Sequence, residues 1–96
     1  MRIRWSGQAN RDVNAIFDYL SERSLRGVRT VLSRVEKRVA SLRENPLLGP
    51  AVFDTGARML AVTRTDYVVY YQVVQQEIIV LRVLHGAQER RISPDA

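Results

Sequence analysis

The chain has 96 residues, an apolar fraction of 46% and a net charge of +5. These values predict one folded domain over residues 1–96 and argue against intrinsic disorder. Because the sequence has no cysteine, it excludes both a disulfide framework and a thiolate metal site. No apolar run approaches the roughly 20 residues that a membrane span needs. We therefore expect a cytoplasmic protein without a membrane partner.

The basic residues are almost all arginine, since 14 of the 15 are arginine and only Lys37 is lysine. The planar guanidinium group suits carboxylates and phosphates, which it can bind with two parallel hydrogen bonds. A small basic protein therefore has two natural classes of partner, nucleic acid and acidic protein. Charge alone does not choose between them.

A short strand and two helices are predicted in the first half of the chain. Residues 2–5 alternate polar and apolar side chains, and Ser6 is placed to cap a helix. Two apolar stripes at spacings of three and four then predict helices over 8–23 and 26–44, the second ended by Asn45-Pro46. The short connection predicts an antiparallel helical hairpin. The stripes consist of Ala9, Val13, Ile16, Phe17 and Leu20, and of Val28, Val31, Leu32, Val35, Val39 and Leu42.

Three strands are predicted after a loop over 46–56, at 58–62, 67–74 and 77–84. Their short connections predict antiparallel hairpins, although neither turn has an Asn-Gly pair. The order β-α-α-β-β-β predicts an α+β fold in which an antiparallel sheet packs on the helical hairpin. The second sheet face is apolar enough to be either a protein-binding surface or part of an ordinary core. Residues 93–96 are expected to form a frayed tail.

Five segments, in chain order, resemble the ParE branch of the RelE/ParE toxin superfamily. The first is Ala9 with Arg11-Asp12-Val13 and Ile16-Phe17-Asp18-Tyr19-Leu20, and the second is Leu42-Arg43-Glu44-Asn45-Pro46-Leu47-Leu48-Gly49. The others are Gly56-Ala57-Arg58-Met59-Leu60, Tyr67-Val68-Val69-Tyr70-Tyr71, and Leu81-Arg82-Val83-Leu84-His85-Gly86-Ala87-Gln88.

This resemblance implies a RelE/ParE-like fold and the toxin of a type II toxin–antitoxin module. Such a toxin is neutralised by an acidic, ParD-like antitoxin in a hetero-oligomer, and the pair contacts DNA only through the antitoxin. ParE-like members inhibit DNA gyrase by binding, without known catalytic residues, and serve plasmid stabilisation. The antitoxin is expected to lie along the helical hairpin and the open sheet face. Neither a cofactor nor a metal is expected.

Two alternatives remain open. RelE-like relatives cleave messenger RNA on the ribosome, and here a rearranged site would consist of Arg58, Arg82 and His85. Val68 stands where those nucleases carry an arginine, and valine cannot stabilise the charge that develops on a phosphate. His85 suits acid–base work near neutral pH but is more often a structural hydrogen bonder at a strand end. The other alternative is an inactive toxin that serves as a co-repressor with its antitoxin.

The residues expected to contact the antitoxin or the target are Arg58, Tyr67, Tyr70, Arg82, His85 and Arg90. An arginine inside an apolar strand is costly without a partner. Arg82 is therefore predicted to pair within the chain, with Asp54, Asp66 or Glu77, whereas Arg58 is predicted to contact a partner protein. The second helix carries Arg26, Arg29, Arg34, Lys37, Arg38 and Arg43, which are interpreted as a solvated face, with DNA contact as the alternative.

Overall fold

In the computed structural model, which describes residues 1–86, a helical hairpin covers one face of a four-stranded sheet. The elements are β1 (Arg2–Trp5), α1 (Gly7–Ser21), α2 (Leu25–Ala40), a 3-10 turn (Ser41–Arg43), β2 (Arg58–Ala61), β3 (Tyr67–Val74) and β4 (Glu77–His85). The predicted α+β order is confirmed. Over residues 1–86, neither helix combines the length and the apolarity needed to cross a bilayer. The predicted tail at 93–96 lies outside the described residues.

Both helices begin at a serine cap. The Ser6 hydroxyl accepts a hydrogen bond from the Ala9 N–H at 3.0 Å and donates one to the Leu81 carbonyl at 3.0 Å. The prediction of a cap at Ser6 is thus confirmed, and the cap also ties the start of α1 to β4. Ser24 caps α2 in the same way by accepting from the Gly27 N–H. Both helices end earlier than predicted, at Ser21 and Ala40.

The core forms between the helical stripes and the inner face of the sheet. In the second stripe Val28, Val35, Val39 and Leu42 are at most 2% exposed, and Val31 and Leu32 are partly buried against the core. In the first stripe Ala9 and Ile16 are buried, but Phe17 is 48% exposed. The prediction that Phe17 belongs to the buried stripe was wrong, because Phe17 lies about 100° around the helix from Ile16, at the rim of the packed face.

The strand order is β1-β4-β3-β2. β2, β3 and β4 pair antiparallel as predicted, but β1 pairs parallel to β4, so the expectation of a wholly antiparallel sheet was wrong. A parallel pair needs a long crossover connection, and here the chain passes through both helices, the loop, β2 and β3 between β1 and β4. The β3–β4 register shifts beside Tyr70, which leaves Leu81 as a bulge residue.

Candidate interaction surfaces

The side chains of β3 divide between the two sheet faces. Tyr67, Val69 and Tyr71 are buried on the face that carries the helices, whereas Val68 and Tyr70 are half-buried on the outer face. Across the neighbouring strands, Val68 stands opposite Ala61 and Leu84, and Tyr70 stands opposite Met59. The outer face therefore has an accessible apolar centre of Met59, Ala61, Val68 and Tyr70, whereas Leu84 on the same face is only 3% exposed.

A basic margin borders this apolar centre at β1. Arg2 and Arg4 stand opposite Glu77 and Ile79 of β4. The Glu77 carboxylate lies 3.2 Å from Arg4 Nε and 4.0 Å from Arg2 Nε, and the two arginine side chains are 55% and 84% exposed. One carboxylate thus faces two guanidinium groups, which leaves a net positive charge at this margin.

Arg82 is held by Asp12 of α1. The Asp12 carboxylate accepts hydrogen bonds from Arg82 Nε at 2.8 Å and from a terminal nitrogen at 3.0 Å. It also accepts one from the Val83 backbone N–H at 2.9 Å. The hydrogen bond to Asp12 is the main cause that raises the pKa of Arg82, which burial opposes. Pairing within the chain is as predicted, but the expected acids, Asp54, Asp66 and Glu77, were wrong.

The same contacts close the edge of β4 beyond the end of β1. The Ser6 N–H donates a hydrogen bond to the Val80 carbonyl at 3.0 Å. The Ser6 hydroxyl donates to the Leu81 carbonyl, and the Asp12 carboxylate accepts from the Val83 N–H. Unpaired edge groups invite pairing with another chain, so α1 protects this edge. Asp12 could have been found in the sequence, since it lies three residues after Ala9 and four before Ile16, on the buried side of α1.

Arg58 and Tyr71 hold the loop that precedes β2. Arg58 donates a hydrogen bond to the Gly49 carbonyl at 2.8 Å. The Tyr71 hydroxyl accepts from the Gly49 N–H and donates to the Pro46 carbonyl, both at 2.8 Å. A β-carbon at Gly49 would lie 2.7 Å from the Met59 carbonyl oxygen, so the close approach requires glycine. The loop over residues 46–49 is therefore held against β2 and β3 by these hydrogen bonds. The expected contact of Arg58 with a partner stays a prediction.

His85 lies at the end of β4 beside Tyr67. Their rings meet edge to face with centroids 5.4 Å apart, and His85 Nε2 is 3.9 Å from an Asp66 carboxylate oxygen. These residues border a groove of about 620 Å³ between the sheet and both helices, whose walls include Ile16 and Val31. Burial, then the nearby Tyr19 and Asp66, raise the pKa of Tyr67. Tyr67 is only 8% exposed, so a partner could reach it only through the groove.

The residues of the alternative ribonuclease site do not converge. Arg58 pairs with Tyr71 and His85 with Tyr67 on opposite sides of β3. Four residues along a strand and two strand spacings across separate their backbones by about 16 Å. Groups that act on one phosphate must all come within hydrogen-bond reach of it. Arg90, expected to contact the antitoxin or the target, lies outside the described residues. Within residues 1–86, no three acidic or histidine side chains cluster to hold a metal ion.

Comparison with known proteins places the chain in a family. The family model described as the ParE toxin of the type II toxin–antitoxin system, parDE, matches residues 3–90. This chain belongs to the ParE toxin family. The ParE-like resemblance of the sequence is thus confirmed.

A solved structure has the same fold. It is titled the chromosomal ParDE TA system from P. aeruginosa, and it superimposes with a TM-score of 0.77 at 23% sequence identity. The match covers 88% of this chain and 95% of the other. The chain matches none of the curated proteins compared.

Proposed function

We propose that this ParE family toxin is neutralised by an acidic antitoxin bound to the outer sheet face, and that the free toxin inhibits DNA gyrase by binding it. Membership of a toxin family from a type II toxin–antitoxin system supports the existence of an antitoxin. The net charge of +5 favours an acidic one, since complementary charge accelerates association and aligns the partners.

The outer face is the observation that carries the antitoxin proposal. Its centre offers Met59, Val68 and Tyr70 for apolar anchors, which supply most of the affinity in protein interfaces. The margin at Arg2 and Arg4 offers guanidinium groups that share a single carboxylate. A segment with apolar side chains on one side and acidic ones toward β1 matches both parts of this surface.

Inhibition by binding, rather than RNA cleavage, is supported by the arrangement of the candidate catalytic residues. Val68 offers no positive charge, Arg82 is held by Asp12, and Arg58 is held by the Gly49 carbonyl. The ribonuclease alternative requires His85 as an acid or base. It therefore expects His85→Ala to abolish toxicity while the fold persists, whereas the binding mechanism expects His85→Ala to remain toxic.

Val68→Glu tests the antitoxin surface. A carboxylate at this position would be buried without a partner when the antitoxin covers it, at a cost of about 3 kcal/mol or more. We expect antitoxin affinity, measured by titration calorimetry with the protein encoded beside the toxin, to fall at least roughly 100-fold. Val68→Thr keeps the branched shape and should weaken binding far less.

Asn14→Glu provides the matched control, since Asn14 is exposed on α1 in the helical layer and the substitution adds the same charge. Thermal unfolding of all three variants separates loss of binding from loss of fold. If Val68→Glu is folded and still binds the antitoxin as tightly as Asn14→Glu does, the outer face is not the antitoxin surface.

A further inference from the structure

Basic side chains from two elements meet where α2 passes the β2–β3 turn. A shallow depression of about 290 Å³ is lined by Arg34, Lys37, Arg38, Ser41, Thr63 and Arg64. We call these six residues the α2–turn patch. Four of them are basic, two carry hydroxyl groups, and none is acidic or apolar. Among residues 1–86, no carboxylate forms an ion pair with any of the four cations.

Two of the arginines are fixed in place by the turn. Arg34 donates a hydrogen bond to the Arg64 carbonyl at 3.0 Å, and Arg38 Nε donates one to the Ala61 carbonyl at 2.9 Å. Both side chains are therefore ordered before any ligand arrives, which reduces the entropy that binding would cost. Each guanidinium carries five N–H donors, so one hydrogen bond to a carbonyl leaves donors for an anion.

The turn itself adds charge to the patch. Arg64 has a φ of 63°, in the left-handed region that favours glycine or asparagine. Because Arg64 is exposed, its guanidinium group is accessible to a ligand beside those of Arg34 and Arg38.

The character of the patch selects its partner. Protein interfaces are centred on large side chains buried in well-packed pockets, and the patch has no apolar residue to form such a pocket. A nucleic-acid backbone needs only cations and hydrogen-bond donors, because phosphate contacts release condensed counterions. We propose that the α2–turn patch binds the phosphodiester backbone of nucleic acid.

This inference is independent of the outer sheet face and of gyrase. It places nucleic-acid contact on the toxin itself, whereas the family resemblance implied DNA contact only through the antitoxin. The basic residues of α2 were interpreted as a solvated face, with DNA contact as the alternative. For the residues in the C-terminal half of α2, the proposal favours nucleic-acid contact. Arg29 lies on another side of α2, and Arg43, in the 3-10 turn that follows α2, borders a separate pocket with Glu36.

The test uses the double variant Lys37→Gln/Arg64→Gln and the control Arg29→Gln/Arg43→Gln. Each removes two positive charges, and neither removes a side-chain hydrogen bond described above. The antitoxin-free protein is titrated into a fluorescent 30-base-pair DNA duplex and into an RNA duplex of the same sequence, at several salt concentrations. Fluorescence anisotropy gives the affinity, and the two probes identify which backbone the patch prefers.

We expect the patch variant to reduce the slope of log affinity against log salt by about 1.8, because each phosphate that is no longer neutralised by a cation reduces it by about 0.9. If the proteins bind equally at 1 M salt, that slope corresponds to a roughly 60-fold loss of affinity at 0.1 M. The control variant should retain its affinity within a few-fold. Equal decreases of affinity in both variants would attribute binding to overall charge and overturn the patch.

Two further results would also overturn the proposal. One is that the unmodified protein binds neither duplex at low salt. The other is that the patch variant binds nucleic acid normally but has a reduced affinity for the antitoxin, since the patch would then receive an acidic protein. Loss of duplex binding with normal antitoxin binding supports the patch, whatever the outcome of the gyrase assay.

Discussion

Replacing Asp12 by alanine should destabilise the protein more than any other substitution of an acidic residue in α1. The carboxylate accepts two hydrogen bonds from the Arg82 guanidinium and one from the Val83 backbone N–H. Alanine would remove all three. It would leave a guanidinium without its counterion and an N–H without an acceptor at the edge of β4.

The size of the destabilisation expected for Asp12→Ala follows from how exposed the Asp12 and Arg82 side chains are. The Asp12 side chain is 13% exposed and that of Arg82 is 31% exposed. Breaking a fully buried ion pair costs about 3–5 kcal/mol, and an exposed pair contributes at most about 1 kcal/mol. Because water can reach Arg82 in part, we place Asp12→Ala between these limits, at about 2–3 kcal/mol. In a domain of this size that lowers the Tm by about 10–20 °C.

Asp12→Asn separates the two functions of the carboxylate. Its amide oxygen can still accept from the Val83 N–H, but the charge opposite Arg82 is removed, so we expect about half of the alanine effect. Urea unfolding gives the free energies, and hydrogen exchange at the Val83 amide reports the edge directly. Asp18→Ala is the control, because Asp18 is exposed on the same helix and should change stability by less than about 0.5 kcal/mol.

Equal stability of Asp12→Ala and Asp18→Ala would contradict a stabilising role for the Asp12 carboxylate. A double-mutant cycle with Arg82→Met isolates the ion pair from the contact with Val83. A coupling energy near zero would mean that Asp12 acts only on the strand edge, and that Arg82 is free to serve another partner.

Three further predictions concern the loop over residues 46–49, the turn between β3 and β4, and Tyr67. Tyr71→Phe removes two buried hydrogen bonds and should cost about 2–3 kcal/mol, and urea unfolding unchanged from wild type would contradict this. Gln75 and Gln76 have φ of 50° and 63°, so Gln75→Asn/Gln76→Gly should raise stability by about 1 kcal/mol, whereas a lower Tm would exclude that turn geometry. Burial raises the folded-state pKa of Tyr67. The neutral phenol therefore contributes fully to folding stability below about pH 10, and this contribution is lost as the pH rises through the raised pKa. Alkaline absorbance difference spectra between wild type and Tyr67→Phe should show a phenol that titrates above about 10, and a normal titration would contradict this.

Local patterns were sufficient for the elements of the fold. The apolar spacing around Val28, Val35 and Val39 predicted α2, and Ser6 was recognised as a cap because its pattern involves only neighbouring residues. Alternation over residues 2–5 likewise predicted β1, since successive strand side chains point to opposite sides. These features depend on residues within one or two turns of each other.

Features that depend on distant residues were missed or misassigned. The parallel pairing of β1 joins Arg2 to Glu77, and no local pattern records the direction of that contact. The partner of Arg82 lies 70 residues away, on α1. The α2–turn patch combines helix residues with Arg64, and periodicity can predict only the helical part of that set.

Gyrase inhibition is best tested by supercoiling of a relaxed plasmid in the presence of the purified, antitoxin-free toxin. We expect that the toxin blocks supercoiling, that His85→Ala blocks it equally, and that an equimolar amount of antitoxin restores it. Normal supercoiling by gyrase, at toxin concentrations that saturate the antitoxin, would contradict the proposal that this ParE toxin acts by binding gyrase.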